Sequence, residues 1–596
     1  MNVIEVTKFG GPEVLELRQA PEPQPGPGQV LIGVSVVDVM SLDAQLRTGW
    51  GREWFPNEPP FVPGTGVAGR VLSVGEGVDP GWAGRRVAAF LPGGGGYAEQ
   101  VVTGAETVVE VPDEVPLWRA ASLIQVGPAA LSLVEAAGLT AGTRVLVTGA
   151  GGALGLPIVR LASAAGAHVT AAAHGAAKRQ AALDMGAAQA VDYAELGGRF
   201  DVVFDGIGGE VGGAAYELVE PGGTFFAYGA PSGSTAQIQP GTARVVGMEQ
   251  VQFAPDEFGR LARRVMADDR LATVVGLAVP LERASEAHAA LDRRELVGKA
   301  LLLVTAQAAR YRANGGPEVL TLDEIPLPQP GPGQVRVAVR AAGVNPIDWK
   351  LRRGAPVDGP RGTGLELAGT IDAIGPEVTG WRLGQPVFGQ IESGAAATHA
   401  IADAAALTPK PDELTYEEAA ALPVAIETAE RTLRLLGLQP GQTLLIHAVA
   451  GGVGLAAAQL AIARGAKVVG TASERHHPYL RDLGVHPVTY GEGLEERLQG
   501  PVDRVLDASG RGELELSVRL TGDPAKVVSI ADPVNAAKLG VRFSRGGTRG
   551  PLPAHAVRIP IAEVFPLERI ADAHRRSEEG HLLGKIVVNT EATLPR

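Results

Sequence analysis

Cysteine is absent from this chain of 596 residues. Its absence excludes disulfides, thiol nucleophiles and every zinc site that needs thiolate ligands. The 11 histidines show no spacing typical of a metal site, and the neighbouring His476 and His477 would diverge on a helix or a strand. We therefore expect a protein that works without a metal ion.

Long apolar runs are missing as well. Hydrophobic residues make up 45% of the chain and charged residues 20%, which is ordinary for a globular protein. No uninterrupted apolar run reaches the ~20 residues that span a bilayer. The first residues, MNVIEVTKFGGPEVLEL, alternate like a strand and lack the basic cap and apolar stretch of an export signal. We expect no membrane segment and a cytoplasmic location.

Positive charge is outnumbered, with 53 Lys and Arg residues against 66 Asp and Glu and a net charge of −13. Duplex binding depends on neutralising phosphates with Lys and Arg, and no basic stripe is evident in the sequence. We therefore expect a small-molecule partner and no nucleic acid.

An internal repeat is the strongest feature that the sequence does contain. GGPEVLEL at Gly10 recurs as GGPEVLTL at Gly315, and PLERASEAH at Pro280 recurs as PLERIADAH at Pro566. A period of about 300 residues far exceeds the 20–50 residues of stacking repeats, so each copy should be a whole protein of two domains. The copies should meet near 305–309, without a long tether.

The segment patterns predict an α/β fold in each copy. Short β-branched segments with Pro and Gly, such as GQVLIGVSVV, predict a small β-rich domain. RVLVTGAGGALGLPIVRLASAAGAHVTAAA then predicts strand, glycine turn, helix and strand, and further strands at 190–192, 201–205 and 223–229 complete a doubly wound parallel sheet. A helix and a last strand, GKALLLV or GKIVVNT, should return to the β-rich domain. The expected β-rich domains are 1–123 and 306–422, completed by about 265–305 and 555–596, and the expected sheet domains are 124–264 and 423–554.

A glycine-rich turn follows the first strand of each predicted sheet, as TGAGGALG and HAVAGGVG. Such a turn lets backbone amides approach a pyrophosphate and seats it on the N-terminus of the next helix. Because the turn recurs at matching places, we expect at least one copy to bind a dinucleotide, with an inherited but empty fold as the alternative. The candidate residues are Gly149, Gly152 and Gly155, and Ala448, Gly451 and Gly454.

The end of the second strand favours NADPH. An NAD site usually has an acidic residue there for the ribose hydroxyl, whereas a 2′-phosphate needs cations and hydroxyl donors. Neither strand ends directly in Asp or Glu, and Lys178, Arg179, Ser473 and Arg475 are nearby. The alternative for Lys178 and Arg179 is the solvated start of a helix.

With these motifs the chain resembles, twice and over nearly its whole length, the zinc-free medium-chain dehydrogenases and reductases of the quinone oxidoreductase and enoyl reductase branch. The resemblance rests on the repeated GGPEVL, on the glycine turns, and on GVNPIDWKLRRG, GLELAGTIDAIG, AALPVAIETA and DVVFDGIGG. It implies a GroES-like domain over a Rossmann domain, with nicotinamide in the cleft between them.

The resemblance also implies roles for single residues. It places Asn345 and Asp348 on the nicotinamide side of the pocket as catalytic residues, although Asp348, like Asp43, could instead cap a helix. It places a further set near the 2′-phosphate, namely Lys178, Tyr193, Ser473, Arg475 and Tyr490.

The two copies depart from each other in the predicted pocket. The first has Met40 where the second has Asn345, and Gly66 where the second has Glu366, so the first pocket is the less orthodox. The second copy is shortened before Pro566.

These observations predict NADPH-dependent hydride transfer to a quinone or an activated alkene, with donors around Asn345 polarising the carbonyl and water protonating the product. One alternative is that one copy is silent and completes an intrachain pseudo-dimer, since members of this branch pair through their Rossmann sheets. Another is a nicotinamide-binding protein without turnover. The fused chain could also form a further homodimer.

Overall fold

The alternation of strands and helices folds into two successive units in a computed structural model of the chain. The first unit is Met1–Thr305 and the second begins at Ala306. The structure describes residues 1–53, 55, 57–229, 234–238, 241–498, 500–547, 550 and 557–590. Each unit contains a β-rich domain and a parallel sheet, which confirms the predicted fold class.

The parallel sheet of the first unit has six strands, one more than the sequence predicts. Its strands are, in spatial order, Gln189–Val191, His168–Ala172, Arg144–Thr148, Phe200–Asp205, Val219–Ala227 and Arg244–Val246. The additional strand, Arg244–Val246, has only three residues and little apolar pattern. The central strands are continuous apolar runs, with Val145, Leu146 and Val147 fully buried, because helices cover both faces of such a sheet.

The second parallel sheet repeats this order. Its strands are His486–Val488, Lys467–Thr471, Thr443–His447, Arg504–Asp507, Val527–Ser529 and Arg542–Phe543.

The β-rich sheets are also built alike, and the last strand of each unit joins them as predicted. The first contains Val275–Pro280, Lys299–Leu303, Gln29–Val39, Gly66–Val74, Arg86–Phe90, Val108–Glu110 and Gln100–Gly104. The second contains Ile561–Pro566, Lys585–Asn589, Gln334–Val344, Glu366–Ile374, Pro386–Gln390, Leu407–Pro409 and His399–Asp403. Smaller sheets contain Asn2–Val6 and Leu15–Gln19, and Thr305–Tyr311, Thr321–Pro326 and Arg361–Gly362.

Helices cover the sheets and connect their strands. Those of the first unit are Ser41–Arg47, Leu117–Leu123, Val126–Ala137, Gly155–Ala164, Ala176–Asp184, Gly209–Tyr216, Pro255–Ala267 and Ala284–Asp292. Those of the second are Pro346–Gly354, Tyr416–Ala420, Pro423–Leu436, Gly452–Ala463, His477–Asp482, Leu494–Arg497, Leu514–Thr521, Pro533–Leu539 and Ile570–Glu579.

Within the described residues, no single helix combines the length and apolar composition needed to cross a membrane. One bent pair, Leu117–Leu123 with Val126–Ala137, meets those criteria by length and composition only.

Candidate active site

The glycine turns lie between the first parallel strand and the following helix in both units. In the second unit Ala448 occupies the left-handed region with φ 57°, as Gly149 does in the first with φ 67°. A Cβ on Gly454 would lie 2.6 Å from the carbonyl oxygen of Ala448, and one on Gly155 only 2.3 Å from that of Gly149. Glycine at these positions therefore lets the helix pack against the turn.

The middle glycine of each turn faces more open space. A Cβ on Gly451 would meet only the carbonyl oxygen of Ala448 within 4 Å, at 3.5 Å, and one on Gly152 only that of Gly149, at 3.2 Å. Close packing at the third position with room at the second is the arrangement that admits a pyrophosphate to a helix N-terminus. The residues present therefore fit a dinucleotide in both units.

The last strand of each β-rich domain begins against the glycine turn. The amide of Gly584 donates to the carbonyl of Ala450 at 2.8 Å, and that of Gly298 donates to Gly151 at 2.9 Å. The next residue of the second unit, Lys585, packs its stem so closely on Gly452 that a Cβ there would lie 2.6 Å from the lysine Cδ. The strand thus carries a lysine from the turn toward the predicted pocket.

Three of the residues predicted to lie near a 2′-phosphate come together in the second unit. The Ser473 hydroxyl lies 3.2 Å from the Tyr490 hydroxyl, and Arg475 donates to the carbonyl of His581. Two residues that the sequence analysis did not single out, His581 and Arg511, join them. The Tyr490 hydroxyl lies 3.4 Å from Nδ1 of His581, and the Arg511 guanidinium lies 5.8 Å from the Tyr490 ring centroid. Hydroxyls and cations in one cluster suit a phosphate monoester.

The corresponding region of the first unit is arranged differently. Lys178 donates to the carbonyl of Arg294 at 2.7 Å, and burial lowers the pKa of its ammonium group. Desolvation raises the pKa of the partly buried Tyr193. Arg179 is held by the carboxylate of Asp192 at 2.9 Å. Of the two cations that the sequence places here, Arg179 is therefore paired within the protein.

Asn345 lies in a buried polar cluster of the second unit. Its Nδ2 donates to Oε1 of Glu366 at 2.8 Å, while its Oδ1 accepts from the Lys585 ammonium at 2.5 Å. Lys585 also donates to Glu366, whose Oε2 accepts from the amide of Val424 at 2.7 Å. Asn345 and Lys585 are each 5% exposed and Glu366 is fully buried. The amide is thus held between an ammonium and a carboxylate.

Asp348 occupies the helix-capping position that the sequence left as an alternative. Its carboxylate accepts from the amide of Asn345 at 2.7 Å at the start of helix Pro346–Gly354. Asp43 accepts in the same way from the amide of Met40 at 2.8 Å. Burial raises the pKa of each carboxyl to about 7.

The first unit has a related cluster with different residues. The Lys299 ammonium lies 2.6 and 2.7 Å from the two carboxylate oxygens of Asp38 and 3.0 Å from the sulfur of Met40. Gln125 donates to Asp38 at 3.2 Å. Sequence reasoning missed both lysines and Asp38. The recurrence of Gly-Lys at the start of an otherwise apolar last strand, as GKALLLV and GKIVVNT, is the pattern that could have indicated the lysines.

Two family descriptions match the chain in both halves. The alcohol dehydrogenase GroES-like domain matches residues 26–113 and 331–412. Zinc-binding dehydrogenase sequences match residues 153–254 and 483–588. In the described part of the chain, however, no group of three or more His, Asp or Glu residues is arranged to hold a metal ion.

Similar proteins include single reductases and much longer synthases. A quinone oxidoreductase of Pseudomonas aeruginosa is 32% identical over 325 residues, which are 48% of this chain and 99% of that protein. An NADPH-dependent alkenal/one oxidoreductase of Arabidopsis thaliana is 31% identical, over 47% of this chain and 78% of that protein. A spectinabilin polyketide synthase protein of Streptomyces orinoci is 39% identical over 40% of this chain, but the chain spans only 12% of its length.

A solved structure of a mycobacterial protein in complex with NADPH matches with 30% identity and a TM-score of 0.47. The match covers 51% of this chain and 100% of the mycobacterial chain.

Proposed function

The chain belongs to the medium-chain dehydrogenase and reductase family as two tandem copies, and on this premise we propose that it reduces a quinone or an α,β-unsaturated carbonyl with NADPH, without a metal ion. The observation that carries the proposal is the buried cluster of Asn345, Glu366 and Lys585. The stem of Lys585 packs on Gly452 of the glycine turn, so the cluster lies beside the predicted coenzyme site. The names of the quinone and alkenal reductases among its relatives support the two acceptor classes.

The amide of Asn345 is the proposed donor to the acceptor. Its Oδ1 faces Lys585 and one N–H faces Glu366, which leaves the second N–H for a carbonyl oxygen. When bound, NADPH supplies a hydride to the acceptor. The fixed N–H stabilises the negative charge that develops on the oxygen, and water then protonates the product. Lys585 and Glu366 act as positioning residues, because they set the orientation of the amide. Asp348, in the first turn of helix Pro346–Gly354, holds the backbone amide of Asn345, which precedes that helix.

The coenzyme is proposed to lie on the glycine turns, with its pyrophosphate near Gly149, Gly152 and Gly155 or near Ala448, Gly451 and Gly454. In the second unit Ser473, Arg475 and Tyr490 would hold the 2′-phosphate, and their clustering favours NADPH over NADH. Lys178 and Tyr193 are the proposed counterparts in the first unit. A cytoplasmic location, and pairing of the two copies in a dimer-like arrangement, also remain proposals.

The test is oxidation of reduced nicotinamide by the purified full chain with a benzoquinone, a naphthoquinone and an alkenal as acceptors. We expect turnover with NADPH, a clear preference over NADH, and no loss of rate after treatment with a metal chelator. The matched control is the Asn345→Ala chain, whose rate should fall while NADPH binding persists. Failure of NADPH to reduce any of the three acceptors would contradict the proposal.

A further inference from the structure

We propose that the second unit alone reduces the acceptor. The lysine cluster of the first unit contains different residues, and at the position of Asn345 it offers the acceptor no hydrogen-bond donor. This inference rests on the proposed function and assigns it to one half of the chain. Two differences between the units support it. The carboxylate that pairs with the lysine lies on a different strand in each unit, and Met40 stands where the second unit has Asn345.

The exchange moves a carboxylate from one strand to the strand beside it. In the first unit Asp38 and Gly66 are paired in register. In the second unit Gly343 and Glu366 take the corresponding positions, one step beyond the paired residues Ala342 and Leu367. Each unit therefore pairs one carboxylate with one glycine at this place. The carboxylate lies on strand Gln29–Val39 in the first unit and on strand Glu366–Ile374 in the second.

The glycines make the room that each carboxylate needs. A Cβ on Gly343 would lie 2.2 Å from Oε1 of Glu366 and 2.7 Å from the carbonyl oxygen of Ala420. A Cβ on Gly66 would lie 2.6 Å from Nε2 of Gln125 and 3.2 Å from Cβ of Asp38. Neither arrangement accepts the second carboxylate without a shift, so the two positions change together.

The exchange preserves the pairing of the lysine in both units. Lys299 is fully buried against Asp38, and Lys585 is buried against Glu366. A buried ammonium needs a partner of opposite charge, since its desolvation is otherwise uncompensated. The ion pair has therefore been retained in both units, although different strands supply its carboxylate.

The group beside the lysine has not been retained. Asn345 has two N–H donors, of which Glu366 accepts one. The thioether of Met40 at the same place is a weak acceptor from Lys299 and donates nothing. Gln125 donates through Nε2 to Asp38 and accepts through Oε1 from Thr65, so these partners hold its amide beside the carboxylate of Asp38. Like Asn345 it keeps a second N–H, but it does not lie at the position of Asn345, where Met40 stands.

The first experiment counts acceptor sites without turnover. Calorimetric titration of the full chain with a naphthoquinone, in saturating NADP⁺, should give one site per chain. The Asn345→Met variant should lose that site and Met40→Leu should keep it. Two equal sites would overturn the inference while leaving the proposed function intact. No binding of the naphthoquinone, nor of an alkenal titrated in its place, would overturn the proposed function and this inference with it.

The second experiment assigns the rate. Asn345→Met places the first unit's residue in the second unit, and kcat with NADPH and the naphthoquinone should fall about 100-fold or more, as for loss of a fixed donor to a developing oxyanion. Met40→Leu should leave kcat within about twofold. A chain with Asn345→Met that kept half its rate, with an unchanged melting temperature, would show turnover in the first unit and overturn the assignment.

The exchange itself has a readout that does not depend on activity. Gly343→Asp alone and Glu366→Gly alone should each lower the melting temperature, the first through a clash and the second through an unpaired Lys585. The double variant should be more stable than either single variant, because it reproduces the arrangement of Asp38 and Gly66. A double variant no more stable than the worse single variant would refute the exchange.

Discussion

Replacing Lys585 by methionine tests how strongly the buried cluster depends on its charge balance. The substitution keeps an unbranched apolar stem, one atom shorter, and leaves the carboxylate of Glu366, fully buried, with only the neutral donors of Asn345 and Val424. Removing one partner of a buried ion pair typically costs about 3–5 kcal/mol. Since about 1.4 kcal/mol is a factor of ten, the opening equilibrium of this region should rise roughly 10²- to 4 × 10³-fold.

Hydrogen exchange of the backbone amides in strand Glu366–Ile374 is the assay, because it reports the opening of that strand separately from the rest of the chain. Strand Gly66–Val74 in the same molecule is the internal control and should keep its protection. Adding Glu366→Leu to Lys585→Met should restore protection to within about tenfold of wild type, because a buried pair can be replaced by apolar groups at little cost. Unchanged exchange in the single variant, or no recovery in the double variant, would refute the reasoning.

Three further predictions concern the coenzyme site and the cap of the catalytic helix. Arg475→Ala should weaken NADPH binding about tenfold or more in titrations and leave NADH binding nearly unchanged. The reason is that the Arg475 cation is proposed to contact the 2′-phosphate, which NADH lacks. Equal losses for both coenzymes would contradict this. Gly451→Ala should weaken NADPH binding with little change in melting temperature. Gly454→Ala should lower the melting temperature, because a Cβ at Gly454 would lie only 2.6 Å from the turn. The reverse pattern would be inconsistent with the turn described. The pKa of Asp348 is raised to about 7, so the folded state holds a proton that the unfolded chain loses near pH 4. The stability that this carboxyl contributes is therefore present at low pH and lost as the pH rises through about 7. Asp348→Asn should flatten the pH dependence of unfolding over that range, and an unaltered profile would argue against the shift.

Local patterns were sufficient to predict the doubled α/β architecture. The glycine turns, the apolar strands and the return of the last strand recur in both copies, and each depends on residues close together in the chain. The short strand Arg244–Val246 was missed because three residues with little apolar alternation give no clear pattern.

The polar clusters were harder to predict because their members are distant in sequence. Lys585 and Asn345 are 240 residues apart, and only the folded sheet brings them together. The exchange of Asp38 and Glu366 hides the correspondence further, since aligned positions do not carry the same residue. Arg179 is one of the cations that the sequence places near a 2′-phosphate, and its pairing with Asp192 depends on the neighbouring strand.

The different strand positions of Asp38 and Glu366 also restrict which segments can be copied by recombination from one half of the coding sequence into the other. Recombination that copied only the segment for one strand from one half into the other would leave either two acids opposite each other or none beside the lysine. Both products bury an unbalanced charge. A conversion tract that includes both strands keeps one carboxylate beside each lysine, so we expect these two positions to change together or not at all.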